Sequence, residues 1–477
     1  MDDRARRGVG WLTLVSVATK GSQLVVTVVL AALFTEADLG VVALTLALVN
    51  TAMVVQSMGV TAVISRTEHD AERMAGTVLT MTAAAATLLT VAGVAGAPAL
   101  AGAVDAPAAA PLIRVVSIGL PFMAIAWVQL ALMSRGLNFR QRLVPDIGSA
   151  IGGAAVTVGL ALAGAGPMSV AVGFVVTAAS QPVLGVAVGV RVRPRWDRRA
   201  AGEAFRWIAT VGAGAIAATV VLNIDYPIVS RILGPDALGL YSLAFRLGFV
   251  PYALLGTVLA SVAFALYANL MRDGDRAEAA AANTHFTRLL LLTVGGTYVV
   301  AVLLADRIVL LGDRWAAAAP ALMVLCGYGL GRALLTLWYE SVVATGRLRL
   351  YTLLECAHLI LLAMLLVTFT RYGIVAAALA QAGAVWTMVA TVWIAARRAH
   401  VAPAPRDLVR AVGGFAVPAV ACVLLSRALH PVLSDPRSLP AAAGEAVALI
   451  VCYGVVAVVV NRAFVTSLLR HRQPAGT

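Results

Sequence analysis

Apolar residues fill this chain in stretches of about 20, the length at which a helix crosses the hydrocarbon core of a bilayer, and short polar connections separate them. Fourteen such stretches can be drawn, at 11–33, 40–64, 75–99, 111–133, 143–163, 169–190, 207–230, 239–268, 286–304, 320–343, 350–370, 374–395, 408–426 and 440–462. The pattern predicts an all-α integral membrane protein of about 14 transmembrane helices, with connections too short to hold a soluble domain.

A faint duplication runs through the pattern. DLGVVAL at 38–44 returns as ALGLYSL at 237–243, an offset of 199, and AAAP at 108–111 returns at 317–320, an offset of 209. Arg135-Gly136 is echoed by Thr345-Gly346, offset 210. The growth in offset has a visible place, because the connection at 65–74 is shorter than its counterpart MRDGDRAEAAAANTHF, which begins at 271. The duplication therefore predicts a six-helix lobe over 1–199, a second over 200–403, and an additional helix pair with a cytoplasmic tail over 404–477. An even number of spans per lobe implies a parallel repeat about an axis normal to the membrane, with a central cleft between lobes. RVRPRWDRR at 191–199 is the natural linker.

Composition agrees with the pattern: 61% of the 477 residues are hydrophobic and 12% charged, against roughly 25% charged in ordinary globular proteins. Mean hydropathy is +0.91. The net charge of +13 would suit nucleic acid, but the basic residues are placed otherwise. With the N-terminus in the cytoplasm, 26 of the 36 Lys and Arg fall in cytoplasmic segments, the positive-inside bias. With the fourteen spans, this puts both termini in the cytoplasm. The excess charge thus reports orientation and anionic headgroups, and no nucleic-acid partner is expected. Arg4, Arg6 and Arg7 precede an apolar run too long for a secretory signal and followed by a repeat element, which predicts an uncleaved first helix. Cys326, Cys356, Cys422 and Cys452 all lie in apolar spans without a CxxC spacing, so they are read as helix packing, not as a disulfide or zinc framework.

Several kinds of chemistry are excluded. The sole lysine, Lys20, is followed by Gly21, so no Walker A phosphate loop exists. No HExxH or comparable histidine cluster is present, and a GxSxG elbow needs a strand that this chain does not offer. An enzyme, a metal centre and a cofactor are therefore not expected. Glu36 and Asp38 in the first outer turn keep a glycosyl-transfer alternative open, although the matching turn GPDA at 234–237 also carries an acid and argues for a polar turn.

Polar residues inside the spans are the candidate site. Thr13, Ser16, Lys20, Gln23 and Thr27 are spaced by three or four and so form one stripe on the first helix. A lysine near mid-span costs about 2.5–3.5 kcal/mol on insertion scales, which favours a cavity-facing Lys20; the alternative is snorkelling to the cytoplasmic surface. On the seventh helix Thr219, Asn223, Tyr226 and Ser230 form a similar stripe, while Asp225 lies off it unless Pro227 kinks the turn. Asp225 either binds a coupling cation or pairs with an arginine. Arg332 lies near the middle of the tenth span with Tyr339 seven residues on, as an anionic-substrate contact or an interhelical lock. Arg246 and Arg114, nearer outer span ends, are secondary. Glu355 and His358 share a face of the eleventh span and could carry a proton or hydrogen-bond structurally. Glu340 and Asp146 read as ordinary partners of Arg347 and Arg142, and Glu445 as interfacial.

The stretches NIDYPIVSRILGPDALGLYSLAFRL at 223–247, LGDRWAAAAPALMVL at 311–325, PLIRVVSIGL at 111–120 and LMSRGLNFR at 132–140 resemble polysaccharide flippases of the Wzx type, in the multidrug/oligosaccharidyl-lipid/polysaccharide exporter superfamily. The resemblance implies movement of an undecaprenyl-diphosphate-linked oligosaccharide across the bacterial plasma membrane by alternating access, coupled to H+ or Na+. It also implies glycosyltransferase or polymerase partners. Lys20 and Arg332 would hold the diphosphate or acidic sugars, and Asp225 occupies the acidic position of the family-like NxD segment. SVAFALYANL at 261–270 lacks a proline that relatives often have, which leaves Pro251 to supply the kink of the eighth helix. A cation-coupled multidrug exporter of the same superfamily would instead have an acidic or apolar cleft, and such exporters commonly stop at twelve helices. A membrane glycosyltransferase or polymerase would need an essential acid in an outer loop.

Overall fold

The computed structural model describes residues 19, 21–57, 60, 63–64, 71–136, 139–430 and 437–470, and no strand occurs among them. Helices α1 (Gly21–Leu33), α2 (Glu36–Ser57), α3 (Ala71–Ala103), α4 (Ala109–Ser117), α5 (Leu120–Arg135), α6 (Phe139–Leu162), α7 (Met168–Ala187), α8 (Arg198–Val221) and α9 (Asp225–Pro251) come first. They are followed by α10 (Thr257–Arg272), α11 (Arg276–Leu290), α12 (Gly296–Leu303), α13 (Ala319–Ala344), α14 (Leu348–Phe369), α15 (Ile374–Arg398), α16 (Pro405–Leu429), α17 (Leu439–Val460) and α18 (Arg462–Arg470).

Eleven helices among the described residues are long and apolar enough to cross a membrane, or twelve if the pair α4 and α5, bent by 44°, makes one span. The difference from the fourteen expected lies in two places. The described part of the first span, α1, is short. The run 216–272 counts as a single stretch of 57 residues, although Gly234 inside it has φ 85° and ψ 173°. Glycine tolerates that positive φ, and the following Pro235 forces extended backbone before it. The expected boundary between 207–230 and 239–268 is thus a real turn.

The duplicated anchors mark the same punctuation in both copies. AAAP opens α4 at Ala109 and α13 at Ala319, while Gly136 caps α5 and Gly346, at φ 78°, follows the Thr345 cap of α13. At the first anchor the copies touch: a Cβ on Gly40 would overlap the Pro235 carbonyl, and one on Gly239 would overlap the Glu36 carbonyl. Glu36 and Gly40 correspond to Pro235 and Gly239 at the offset of 199, so the contact is reciprocal, as a local two-fold demands. The turn before α2 is closed by an exchange in which Thr35 N–H donates to Asp38 Oδ2 at 3.1 Å and Asp38 N–H to Thr35 Oγ1 at 3.2 Å. Asp38 is a capping residue.

Contacts divide the chain into two compact units, residues 1–243 with 348–380, and residues 244–347 with 381–477. In the first, α6 and α7 pack closely because Gly153 faces the Gly173 carbonyl and Thr177, and Gly173 faces the Gly153 carbonyl and Thr157; small residues let helix backbones approach. A core of Val63, Ile64, Met74, Val78, Val128 and Ala204 fills the region between α3, α5 and α8. In the second unit α16 and α17 pair around Cys422, Leu449 and Tyr453, against Val299, Val300 and Leu303 of α12. All four cysteines are free.

Candidate functional site

In the first unit, Pro227 determines where the seventh span breaks. It has no N–H for the Asn223 carbonyl, so α8 ends at Val221, residues 222–224 form a turn, and α9 restarts at Asp225. Asp225 therefore sits in the first turn of a helix, where the backbone dipole favours a carboxylate. Asp225 is 0% exposed. Its Oδ2 accepts from the Tyr241 hydroxyl at 2.8 Å, and Tyr226 meets the Tyr241 ring edge-on with centroids 6.4 Å apart. The bond joins the two segments of α9 across the Gly234 turn. Nearby on the same segment, Ser230 Oγ donates to the Val104 carbonyl at 3.0 Å, and Arg231 Nη1 to that of Ala103 at 3.1 Å. Asn223 is half-buried and donates to the Thr219 carbonyl at 2.9 Å.

Glu355 and His358, both buried, lie one turn apart on α14. That helix packs on α8, where Gly214 leaves room for Thr352 and Tyr351. Thus the first unit holds an acid at a helix start and an acid–histidine pair, all removed from solvent.

In the second unit, Arg332 is 7% exposed on α13. Thr336, one turn on, donates to the Arg332 carbonyl at 2.9 Å, and its hydroxyl lies 3.2 Å from that of Tyr252. Arg332, Thr336 and the buried Tyr339 form one stripe, which meets the junction of α9 and α10, where the helical ladder is irregular. Directly after Pro251 the backbone widens into a π-helical turn, Tyr252–Gly256. Here the Tyr252 N–H donates to the Tyr298 hydroxyl at 3.1 Å. A side chain inserted into the ladder is a recognised cause of such a bend. The Tyr298 hydroxyl reaches it only because Gly329 has no side chain. The irregularity of the expected span 239–268 thus begins directly after Pro251. Phe245 and Phe249 are stacked at 5.5 Å, and Phe249 meets Tyr252 at 4.8 Å, lining the same stretch with aromatic rings.

The remaining expected residues are dispersed. Thr13, Ser16 and Lys20 lie outside the described residues. Thr27 is buried and donates to the Gln23 carbonyl at 2.8 Å, whereas Gln23 is exposed. Arg246 is half-buried and Arg114 exposed. Arg142 and Asp146 pair at 2.8 Å as expected, with Gln181 also donating to Asp146 at 3.0 Å. Among the described residues, no group of three or more His, Cys, Asp or Glu could hold a metal ion.

Glu445 is more than the plain interfacial acid expected: its Oε2 accepts from Arg307 Nη2 at 2.7 Å and Nε at 3.2 Å, and its Oε1 from Ser426 at 3.1 Å. Both partners are buried. A second network missed by sequence reading joins Asn283 to the Val401 carbonyl at 2.8 Å and Trp338 Nε1 to Thr287 at 3.0 Å. The signal was there in polar side chains at 283 and 287 on one face of α11, but only packing reveals what they face.

The family described as "Polysaccharide biosynthesis protein" matches residues 29–320. The succinoglycan biosynthesis transport protein ExoT of Rhizobium meliloti (strain 1021) is 28% identical over 323 residues, 67% of this chain and 62% of that protein. The lipopolysaccharide biosynthesis protein WzxC of Escherichia coli (strain K12) is 26% identical over 237 residues, 48% of this chain and 47% of that protein. Both alignments span less than two thirds of the relative's length. Among solved structures, the lipid II flippase MurJ in an inward closed conformation matches 96% of this chain and 99% of its own, with a TM-score of 0.77 at 13% identity. An inward-facing multidrug resistance MATE family transporter of the MOP superfamily matches 81% of this chain and 98% of its own, with a TM-score of 0.66 at 12% identity. At these identities the likeness is one of fold.

Proposed function

The chain belongs to the polysaccharide biosynthesis protein family, and on that premise we propose that it is a flippase for an undecaprenyl-diphosphate-linked oligosaccharide in the bacterial plasma membrane. Cargo passes from the inner to the outer leaflet by alternating access between two six-helix lobes, 1–199 and 200–403. Both chain termini lie in the cytoplasm. The reciprocal contact of Gly40 and Gly239 supports the lobes, since it relates equivalent backbone in the two copies.

The observation that carries the reading is Arg332, a buried cation in the middle of a largely apolar helix. A guanidinium holds phosphate oxygens in a bidentate fork and stays charged at every working pH. Its stripe meets the π-turn after Pro251, where the helix is least regular. Lys20 adds a second cation to the same role. Asp225, Glu355 and His358 take the coupling ion, H+ or Na+: they are buried, titratable side chains within spanning segments, where ionisable groups mark ion and proton pathways. The glycosyltransferases and polymerases that build the glycan are the protein's functional partners.

The test is reconstitution in liposomes with fluorescent undecaprenyl-diphosphate oligosaccharide. Leaflet exchange should exceed that of protein-free vesicles, and Arg332→Ala should slow it about tenfold, the loss of one charge-assisted contact, at unchanged expression. Saturable antiport of a drug against a cation with no glycolipid exchange would assign the protein to multidrug export instead. Asp225→Asn should make the remaining exchange insensitive to the H+ or Na+ gradient.

A further inference from the structure

The connection between α7 and α8 is not a loose linker. Gly189, at φ 94°, turns the chain out of α7, and Gln129 Nε2 holds the Val190 carbonyl at 3.1 Å. From there the backbone runs extended along α3. Arg195 N–H donates to the Gly76 carbonyl at 3.2 Å, and Thr80 Oγ1 donates to the Arg195 carbonyl at 2.9 Å. Gly76 is what admits it, since a Cβ there would crowd the Arg193 carbonyl at 2.8 Å. Pro194 keeps the strap extended by confining its own φ and that of the residue before it. Val192 points inward onto the core around Met74 and Ala204. The strap ends at Asp197, which caps α8 by accepting from the Arg199 and Ala200 amides at 2.8 and 3.4 Å.

This pinning leaves the charged side chains outside. Arg191, Arg193, Arg195, Arg198 and Arg199 are all exposed, as is Arg73 on the first turn of α3. The lone acid of the strap, Asp197, is occupied by its cap. Two large aromatic side chains stand among the cations, Trp196 at 62% and Phe205 at 66% exposure. The strap crosses α3 at Gly76 and Thr80, where the apolar part of that helix begins. That is the level at which a spanning helix leaves the hydrocarbon for the headgroups.

We propose that the strap Arg191–Arg199 is a binding site for the phosphodiester headgroups of anionic phospholipids, with Trp196 and Phe205 seated in the interface. Arginine forks match phosphate oxygens, exposed tryptophan concentrates at the headgroup level, and a rigid backbone fixes the spacing of the cations. The site is separate from the cargo reading and stands or falls without it. An acidic soluble partner would match the arginines but would leave two apolar rings unexplained.

The test uses the full chain in nanodiscs, with tryptophan fluorescence quenched by lipids brominated near the headgroup end of their acyl chains. The difference between wild type and Trp196→Phe isolates the signal of Trp196. Brominated phosphatidylglycerol in a phosphatidylcholine background should quench it at least about fivefold more effectively than brominated phosphatidylcholine in a phosphatidylglycerol background, the preference of one to two arginines near a charged surface. The triple variant Arg191→Gln, Arg193→Gln, Arg195→Gln keeps the backbone contacts and should lose that preference. Raising salt from about 0.1 M to 1 M shortens the screening length from about 10 to 3 Å and should erase it in the wild type, a check independent of whether the variant folds. Equal quenching by the two lipids, an unquenched Trp196, or a preference indifferent to both salt and the substitutions would overturn the proposal.

Discussion

Arg307 and Glu445 lie 138 residues apart and form a buried ion pair between the 3₁₀ turn Ala305–Leu311, after α12, and the first turns of α17. Two charges withdrawn from water repay their desolvation only through close geometry and further hydrogen bonds, here the two guanidinium contacts and Ser426. Removing one partner strands the other. Arg307→Ala should therefore destabilise the protein by about 3–5 kcal/mol, read as a lower unfolding temperature in detergent, while Arg307→Met with Glu445→Leu should recover most of it. The sequence showed an acid near a helix start, but nothing in it joins that acid to Arg307, because periodicity orders residues along one helix only. Asp225 was more legible: Pro227 announced the break that re-aims it, and the chain breaks where the missing N–H requires. What stayed hidden was the partner, Tyr241. Tyr241→Phe removes the hydroxyl from a buried carboxylate and should cost about 1–3 kcal/mol, measured by the same unfolding experiment.

At the scale of helices, the duplication was readable as matching motifs but not as a contact. An offset of 199 relates Gly40 to Gly239; nothing in the letters says that each presses on the backbone before the other. In both cases a Cβ would meet a carbonyl oxygen held in a helix turn, which cannot swing away as a side chain can. Gly40→Val and Gly239→Val should each disrupt the junction of α2 and α9, lowering the yield of monodisperse protein. The double variant should be less than additive, because both changes break one interface. The interlock of Tyr298, Gly329 and the Tyr252 amide was equally invisible. Pro251 marked where the span 239–268 deforms, yet the π-helical turn meets a hydroxyl arriving from α12, and such an arrival has no sequence signature.

For the whole chain, the hydrophobic pattern was sufficient to give class and span order, since a bilayer permits few alternatives to the apolar helix. It was less informative about the last helix pair, whose position at the end of two six-helix repeats made it look appended. The contacts make the pair part of the second unit. Phe415 of α16 lies against Gly295, Tyr453 of α17 against Gly296, and Arg288 Nη2 donates to Asn461 at 2.9 Å, in addition to the Arg307–Glu445 pair. Gly295 and Gly296 sit where a second π-helical turn, Leu291–Gly295, meets α12, so the pair fills space that an irregular stretch leaves open. A chain ending at residue 403 would strand Arg307 and Arg288 and expose both glycine surfaces. It should lose more stability than any single substitution at these contacts, and in detergent a fluorescent fusion of it should elute as aggregate where the full chain elutes as one peak. If the shortened chain were monodisperse instead, the pair would be dispensable for folding, and these contacts would serve to position α16 and α17 for transport.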